Sequence, residues 1–204
     1  MHIGLFFGSF NPVHHGHLII ANYIVETANL DKVWLVVSPQ NPFKQKETLL
    51  NEYDRLHLVN LGISNNEKLY ASDIEFKLPK PSYTIDTLTH LKEKYPQHQF
   101  SLIMGSDNLH SFHKWKNADV ILNHHQLFVY KRKGFSQNPY KQHANVHVLD
   151  VPLLEISASF IRESIHKKIS MQYFLPEKVW EYIQQNHLFS TWMKNDFSSY
   201  GLFY

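Results

Sequence analysis

Residues 2–37 read HIGLFFGSFNPVHHGHLIIANYIVETANLDKVWLVV, and this stretch contains two apolar runs separated by a helical pattern. The runs at 2–7 and 33–37 are short and almost wholly apolar, which predicts buried strands. Between them, residues 16–28 place apolar side chains along one stripe of a helix. A strand, a helix and a second strand in this order predict two parallel strands joined by a crossover helix.

The same alternation continues along the rest of the chain. Further strands are predicted at 68–76 (one or two short strands), 99–104, 126–130 and 146–149, and further helices at 48–63, 84–94, 109–123 (in parts), 158–166 and 176–187. Strands separated by helices indicate the α/β class, with a doubly wound parallel sheet covered by helices on both faces. We therefore expect a three-layer α/β/α architecture.

The composition excludes several classes of protein. The 204 residues contain no cysteine, so a disulfide framework, a cysteine zinc site and a thiol nucleophile are ruled out. The formal net charge of +2 is too small to indicate nucleic-acid binding. The N-terminal sequence has no cationic leader, and no apolar run approaches the roughly 18–20 residues of a membrane-spanning helix. We expect a cytoplasmic protein with no membrane partner.

The pattern of strands and helices predicts one domain over residues 1–189. Residues 190–204 read STWMKNDFSSYGLFY, which is aromatic and has no clear period. This C-terminal tail has no assigned role. A packed or disordered tail is the simpler interpretation, and a contact with a partner or with a second copy of the chain is the alternative.

Two loops are predicted to border one crevice. Ligands of an open α/β sheet bind beyond the carboxyl ends of the strands, where the strand order reverses. The loop GSFNPVHHGH at 8–17 follows the first strand, and GSDNLHSFHKWK at 105–116 follows the strand at 99–104. In a sheet of order 3-2-1-4-5 these two strands are neighbours, so we expect both loops to face the same ligand.

The residue types of loop 8–17 suit a polyphosphate. Gly8 allows the backbone to turn close to a ligand, and Gly16 opens a helix whose N-terminus favours anions. His14 and His17 lie three positions apart, so both side chains are expected on one side as partly charged donors. A structural turn and a metal site are the alternatives. The metal hypothesis is weaker because no HExxH motif, cysteine or carboxylate pair lies nearby.

A second segment suited to anions is EISASFIRESI at 155–165. Ser157 is predicted to cap a helix that carries Ser159 and Arg162. Hydroxyl groups, a guanidinium group and a helix N-terminus together bind phosphate well. An ordinary capped helix explains the same residues, so this segment alone does not decide the function.

Together these segments resemble the HxGH-type nucleotidyltransferases and, within them, the bacterial nicotinate-mononucleotide adenylyltransferases. Loop 8–17 is similar to the family pattern GxFxPxHxGH, with His14 and His17 as the two motif histidines and His15 at the variable position. ISASFIR at 156–162 is similar to the ISSTxIR motif, with Ala158 in place of a serine. The resemblance implies a Rossmann-like nucleotidyltransferase fold over about residues 1–189.

Three further segments resemble the family. SPQNPFK at 38–44 is similar to the loop that commonly reads PPHK, although Phe43 stands where histidine is usual, so only Lys44 corresponds. PSYTIDTL at 81–88 and loop 105–116 are similar to the segments that form the nicotinate-nucleotide pocket.

The resemblance implies a role for individual residues. It implies three catalytic residues, His14, His17 and Arg162; eight ATP-binding residues, Gly8, Ser9, Phe10, Lys44, Gly105, Asp107, Ile156 and Ser159; and four nicotinate-nucleotide-binding residues, Ser82, Tyr83, Thr84 and Trp115. Asp107 would bond the adenosine ribose, although it also suits an ordinary N-cap. Trp115 would stack on the pyridine ring, although core packing also explains it. Lys116 is interpreted as a solvated surface residue.

The reaction that the resemblance implies is transfer of AMP from ATP to nicotinate mononucleotide. The products are nicotinate adenine dinucleotide and pyrophosphate, in a step of NAD biosynthesis. Mg²⁺ is the expected cofactor, bound mainly through the ATP phosphates, with no dedicated metal-binding residue. The alternatives are adenylylation of nicotinamide mononucleotide or phosphopantetheine, a nucleotide-binding sensor without catalysis, and a histidine metallohydrolase.

Overall fold

The computed structural model describes residues 1–39, 49–135, 139–140, 142–152 and 154–190. Thirteen strands and helices follow one another in these ranges: β1 (His2–Gly8), α1 (His15–Thr27), β2 (Lys32–Val37), α2 (Glu52–Ile63), β3 (Leu69–Ser72), α3 (Thr84–Lys94), β4 (Gln99–Gly105), α4 (Ser106–His110), α5 (Ala118–His124), β5 (Leu127–Tyr130), β6 (Val146–Leu149), α6 (Ala158–His166) and α7 (Glu177–Gln185). Within the described ranges, no helix is both long enough and apolar enough to cross a membrane.

The six strands form one sheet in the order β3-β2-β1-β4-β5-β6, and every neighbouring pair is parallel. The predicted order 3-2-1-4-5 is confirmed, and β6 extends the sheet at the edge. The order reverses between β1 and β4, where Phe6 pairs with Ile103. The loops after Gly8 and Gly105 therefore leave the sheet side by side, as the topology requires.

Each face of the sheet is covered by its own apolar layer. Successive side chains of a strand point to opposite faces, so Phe6 of β1 packs in one layer and Leu5 in the other. Helices α1, α2, α6 and α7 bury their apolar stripes in the first layer, and α3, α4 and α5 bury theirs in the second. Burial on both faces explains why the strands are almost continuously apolar. The predicted three-layer α/β/α fold is confirmed.

Several element boundaries differ from the predictions. The helix predicted at 48–63 begins at Glu52, because the side chain of Asn51 accepts a hydrogen bond from the Tyr53 amide and caps it there. The strand predicted at 68–76 ends at Ser72, and turns follow. Pro176, expected in the first turn of its helix, is the N-cap of α7. The helical region predicted at 109–123 divides into α4, a short 3₁₀ turn and α5.

Candidate anion and nucleotide site

Loop 8–17 folds tightly at the carboxyl end of β1. The ring of Phe10 is buried and covers Gly8 so closely that a Cβ on Gly8 would lie 2.8 Å from it. Phe10 has a φ of 45°, a left-handed conformation that a bulky residue rarely adopts. The loop is therefore held in its shape by contacts with the rest of the molecule rather than by local preference.

His14 and His17 form a stacked pair at the start of α1. Their ring centroids lie 3.7 Å apart with the planes inclined by 26°. His14 is the N-cap residue, and its backbone amide donates to Nδ1 of His17 at 3.3 Å. The ring of Phe10 lies edge-on against His17, with centroids 5.1 Å apart. The expectation that both histidines face one side of the helix is confirmed.

The environment of His14 keeps its imidazole neutral. Burial, together with the smaller effect of the nearby charges of Arg132 and His15, lowers the pKa of His14 to about 3. The expectation of a partly charged imidazole is therefore wrong for His14 in the ligand-free protein. A neutral imidazole still offers one N–H donor to an anion.

Helix α6 brings the second anion-binding segment to the same loop. The side chain of Ser157 accepts a hydrogen bond from the Phe160 amide at 3.1 Å, which confirms the predicted cap. Arg162 lies buried and donates to the hydroxyl oxygen of Ser159 at 3.3 Å. It also donates to the carbonyl oxygen of Asn11 at 2.8 Å. The guanidinium group of Arg162 thus links the two predicted anion-binding segments.

Ile156 lies against the same helix entrance. A Cβ on Gly16 would lie 3.9 Å from the Cβ of Ile156 and 3.0 Å from the ring of His14. A side chain at position 16 would therefore press on the ring of His14, while Ile156 would lie at an ordinary contact distance. The segment before α6 closes one side of the histidine pair.

The loop after β4 places a carboxylate at the neighbouring strand end. A Cβ on Gly105 would collide with Oδ1 of Asp107, so the glycine makes room for that carboxylate. Asp107 lies in the first turn of α4, whose N-cap is Gly105, so the N-cap interpretation of Asp107 is wrong. Its Oδ2 lies 3.4 Å from Nη1 of Arg132.

The two segments predicted to bind nicotinate nucleotide, 81–88 and 105–116, contact each other through Lys116. Tyr83 is the N-cap of α3 and is 38% exposed. The Nζ of Lys116 lies 5.0 Å from the centroid of the Tyr83 ring and 3.0 Å from Oδ2 of Asp86. Lys116 is exposed, as expected, but it also joins the two segments. Trp115 is partly buried, and its ring lies 5.3 Å from that of Phe112.

Ser82 and Thr84 flank Tyr83 at the start of α3 and are both partly buried. The hydroxyl oxygen of Ser82 is enclosed and has no hydrogen-bond partner within the described ranges. Thr84 begins the helix, whose N-terminus favours an anion.

A buried carboxyl group lies beneath these segments. The Oε1 of Glu75 accepts a hydrogen bond from the Thr87 hydroxyl at 2.8 Å, and Glu75 also bonds the side chain of Ser38. Burial raises the pKa of Glu75, and these two hydrogen bonds oppose the rise. The Thr87 hydroxyl is also 3.4 Å from the carbonyl oxygen of Tyr83. Glu75 thereby connects the end of β2 to the first turn of α3.

Two sequence predictions lie outside the described residues. Lys44, together with Phe43, belongs to the range 40–48 that separates two described segments. The predicted tail is described only at Ser190.

Three residues near these segments were missed by the sequence analysis: Arg55, Glu75 and Arg132. Arg132 follows β5, and the rule that ligands bind beyond the carboxyl ends of parallel strands could have found it. Arg55 and Glu75 carried no comparable signal, since charged residues are mostly exposed and neither belongs to a chemical motif.

The arrangement suits binding of a phosphorylated ligand. Imidazole, guanidinium and backbone N–H donors surround the end of β1, and these groups stabilise negative charge. Within the described part of the chain, no three histidine or acidic residues are grouped as metal ligands. The chemistry available is alignment of a charged substrate and stabilisation of charge during its reaction.

Comparison with known proteins agrees with this geometry. Residues 5–164 match the model of the cytidylyltransferase-like family. A probable nicotinate-nucleotide adenylyltransferase of Flavobacterium psychrophilum is 53% identical over 191 residues, which cover 93% of this chain and 99% of that protein. The protein of the same description from Flavobacterium johnsoniae is 54% identical over 193 residues, which cover 93% of this chain and 99% of that protein.

Solved structures share the fold. The nicotinic acid mononucleotide adenylyltransferase of Plasmodium falciparum, complexed with NaAD, superposes with a TM-score of 0.79 at 20% sequence identity. The match covers 93% of this chain and 97% of that one. The same protein complexed with APC gives a TM-score of 0.78 over the same shares. At this identity the likeness extends to the fold alone.

Proposed function

The chain belongs to the cytidylyltransferase-like family and, within it, to the nicotinate-nucleotide adenylyltransferases, and from this premise we propose how its residues act. The enzyme transfers AMP from ATP to nicotinate mononucleotide and releases pyrophosphate, a step of NAD biosynthesis. One observation carries the proposal: Arg162 of α6 bonds Asn11 of loop 8–17, so both phosphate-binding segments surround one point at the end of β1.

The ATP phosphates occupy the space between loop 8–17 and α6. His17 donates to the α-phosphate, and neutral His14 donates beside it. Arg162 and Ser159 hold the β- and γ-phosphates, and the 3.3 Å bond between them sets their relative orientation. Lys44 adds a positive charge from the loop after β2. Backbone groups of Gly8, Ser9, Phe10 and Ile156 complete this half of the site.

The adenosine ribose lies at the end of β4. Asp107 accepts from its hydroxyl groups, and Gly105 lets the sugar and the carboxylate share this narrow space. Arg132, 3.4 Å from Asp107, holds the carboxylate in place.

Nicotinate mononucleotide binds between α3 and the loop after α4. Trp115 stacks on the pyridine ring, since a partly buried aromatic face is available there. Ser82, Tyr83 and Thr84 surround the carboxylate at the N-terminus of α3, where the helix dipole favours negative charge. The amide of nicotinamide mononucleotide carries no such charge, so the acid is the preferred substrate.

The chemical step needs no general base. The phosphate of the mononucleotide has a second pKa of about 6, so it is largely a dianion at neutral pH. One of its oxygens attacks the α-phosphorus of ATP in line with the bond to the β-phosphate. The new P–O bond forms as the bond to pyrophosphate breaks, and pyrophosphate leaves with the electron pair. His17 and Arg162 stabilise the charge that develops on the transferred and leaving groups.

Mg²⁺ fits this site only as a companion of the triphosphate. The ion prefers oxygen ligands, whereas the donors around the end of β1 are imidazole, guanidinium and amide N–H groups. Asp107 is a carboxylate at this edge, but it is engaged by Arg132. When bound, Mg²⁺ would neutralise charge on the phosphate oxygens. His14 and Arg162 would hold the phosphates that carry it.

We assign the catalytic domain to residues 1–189 and leave the tail at 190–204 without a role in the reaction. We propose that the enzyme acts in the cytoplasm, where its substrate ATP is abundant.

His17→Ala tests the assigned chemistry. Loss of the donor to the α-phosphate should lower kcat by about 100-fold or more, the size seen when a donor to a developing negative charge is removed. His15→Ala is the matched control, because His15 lies in the same helical turn as His17. The hydrogen bond from His15 to Phe174 is made by the backbone amide, so the substitution leaves it in place. The assay is pyrophosphate release from ATP and nicotinate mononucleotide, with circular dichroism to verify folding.

The outcomes separate the alternatives. Near wild-type turnover of folded His17→Ala would contradict the assigned role. Binding of ATP by the wild-type protein without pyrophosphate release, whatever the acceptor, would favour a sensor without catalysis. Pyrophosphate release with phosphopantetheine but not with a pyridine mononucleotide would favour the sister enzyme.

A further inference from the structure

We propose that Arg55 is a positioning residue that holds the phosphate-binding loop of this enzyme in its active shape, an inference that rests on the proposed function. Arg55 lies in the first turns of α2 and its side chain is 0% exposed. It is among the largest fully buried side chains described. Arg55 is not itself one of the residues predicted to bind a substrate, so it acts through the backbone of neighbouring loops, which include the predicted ATP-binding residue Ser9.

The guanidinium group of Arg55 gathers three segments of the chain. Its Nη1 donates to the carbonyl oxygens of Ser9 at 2.7 Å and Ser38 at 2.9 Å. Its Nη2 donates to the carbonyl oxygen of Pro39 at 3.3 Å, and its Nε to that of Leu50 at 3.0 Å. The loops after β1 and β2 and the entry to α2 are thus tied to one planar group.

The bond to Ser9 controls the orientation of the next amide. The Ser9–Phe10 peptide is not among the cis bonds, and in a planar trans peptide the N–H points opposite to the C=O. Because the Ser9 carbonyl faces Arg55, the Phe10 N–H faces away from it. Arg162 holds the carbonyl oxygen of Asn11, two positions along the chain. Two guanidinium groups therefore hold the Ser9–Phe10 and Asn11–Pro12 peptides, which lie before and after the strained segment where Phe10 has a φ of 45°.

The charge of Arg55 is placed to assist an anion. Across the described ranges, no carboxylate forms an ion pair with Arg55, and its acceptors are neutral carbonyl groups. The charge of the nearby Glu52 carboxylate favours the guanidinium ion, but burial is the larger effect and lowers the pKa of Arg55, so the buried cation remains costly. A bound triphosphate above loop 8–17 would offset that cost, because charges interact strongly where water is excluded. Arginine also differs from lysine because its planar guanidinium group presents several N–H donors in fixed directions.

The loop after β2 makes a second contact, through the side chain of Ser38 rather than through its backbone. The side chain of Ser38 bonds Glu75, and Glu75 accepts from Thr87 in α3. Glu75 thus connects the loop after β2 to α3, at the proposed mononucleotide-binding segment, whereas Arg55 contacts the proposed ATP-binding loop 8–17. Substitution of Arg55 should therefore change ATP binding far more than mononucleotide binding.

The experiment compares Arg55→Lys and Arg55→Gln with a destabilised control, Leu127→Ala. Leu127 is fully buried at the amino end of β5, whereas the site lies beyond the carboxyl ends of the strands. A cavity there destabilises the fold without touching loop 8–17. Affinity for a non-hydrolysable ATP analogue is measured by calorimetry in the absence of acceptor. KM values for both substrates are measured by pyrophosphate release.

We expect both Arg55 variants to weaken ATP-analogue binding by about tenfold or more and to raise the KM for ATP similarly. Arg55→Gln, which also loses the charge, should be the weaker binder. The KM for the mononucleotide should stay within about twofold, and Leu127→Ala should change neither KM by more than that. If Arg55→Gln does not fold, Arg55→Lys carries the comparison.

ATP-analogue affinity within about twofold of wild type in a folded Arg55 variant would overturn the proposal. An equal rise of both KM values, matching Leu127→Ala, would also overturn it, since that result indicates general destabilisation. The calorimetry needs no turnover. If the wild-type protein released no pyrophosphate, the proposed function would be refuted. The affinities of wild type and the Arg55 variants for the ATP analogue could still be compared by calorimetry.

Discussion

Lowering the pH from 7.5 to 5.0 should destabilise the wild-type protein relative to a His14→Asn variant by about 2 kcal/mol. His14 is 4% exposed and stacks on His17 at 3.7 Å, so the folded site has little room to hydrate an imidazolium ion. Asparagine is chosen because it does not titrate and is favoured at the N-cap position that His14 occupies.

The magnitude follows from the two pKa values of His14. Burial lowers the pKa from its ordinary 6.5 to about 3 in the folded protein. Between these values the unfolded chain binds a proton that the folded chain does not, so stability is lost as the pH falls below 6.5. Each pH unit in this window corresponds to about 1.4 kcal/mol, and pH 5.0 lies about 1.5 units into it.

Urea unfolding of both proteins at several pH values provides the measurement, with equal m-values as the control for comparable unfolding. The imidazole resonance of His14, assigned by its absence from the variant, gives an independent titration. Parallel stability profiles down to pH 5.0, or a His14 ring that titrates near 6.5, would refute the assignment of His14 as a buried neutral donor.

Three further predictions concern the other groups of the site. Glu75→Gln should gain stability relative to wild type as the pH rises above about 4.5, by up to about 1.4 kcal/mol per pH unit. The reason is that burial raises the pKa of Glu75, so ionisation of this carboxyl group destabilises the folded wild type. Urea unfolding midpoints at several pH values measure the difference. Gly105→Ala should raise the KM for ATP by about tenfold, because its methyl group displaces Asp107; unchanged kinetics would count against the ribose contact. Lys116→Met should change the free energy of unfolding by less than about 1 kcal/mol, since the ion pair of Lys116 with Asp86 is exposed. A larger change, measured from urea unfolding, would show that this ion pair stabilises the fold more than an exposed pair does.

The fold was predictable because its signals are local and repeated. The strands β1, β2, β4 and β5 are short, mostly apolar runs, and helical patterns separate most consecutive strands along the chain, which leaves few possible topologies. The position of loop 8–17 beside loop 105–116 then follows from the strand order alone. The cap at Ser157 was equally predictable, because its side chain bonds an amide three residues along the chain.

The supports of the site could not be predicted in the same way. Arg55 bonds Ser9, which lies 46 residues earlier, and Glu75 bonds Thr87 across a turn and the first helical residues of α3. Such contacts depend on tertiary packing, and a charged residue in a polar stretch is typical of an exposed surface. The neutral state of His14 was missed for the same reason, since burial is a property of the folded chain.

The function proposed for this chain is adenylylation of the acid form of the pyridine mononucleotide. Its most direct test measures pyrophosphate release from ATP with nicotinate mononucleotide and nicotinamide mononucleotide side by side, as kcat/KM for each acceptor. The enzyme should prefer the acid by about tenfold or more, because a full negative charge meets the N-terminus of α3. A preference of about tenfold or more for the amide would contradict it.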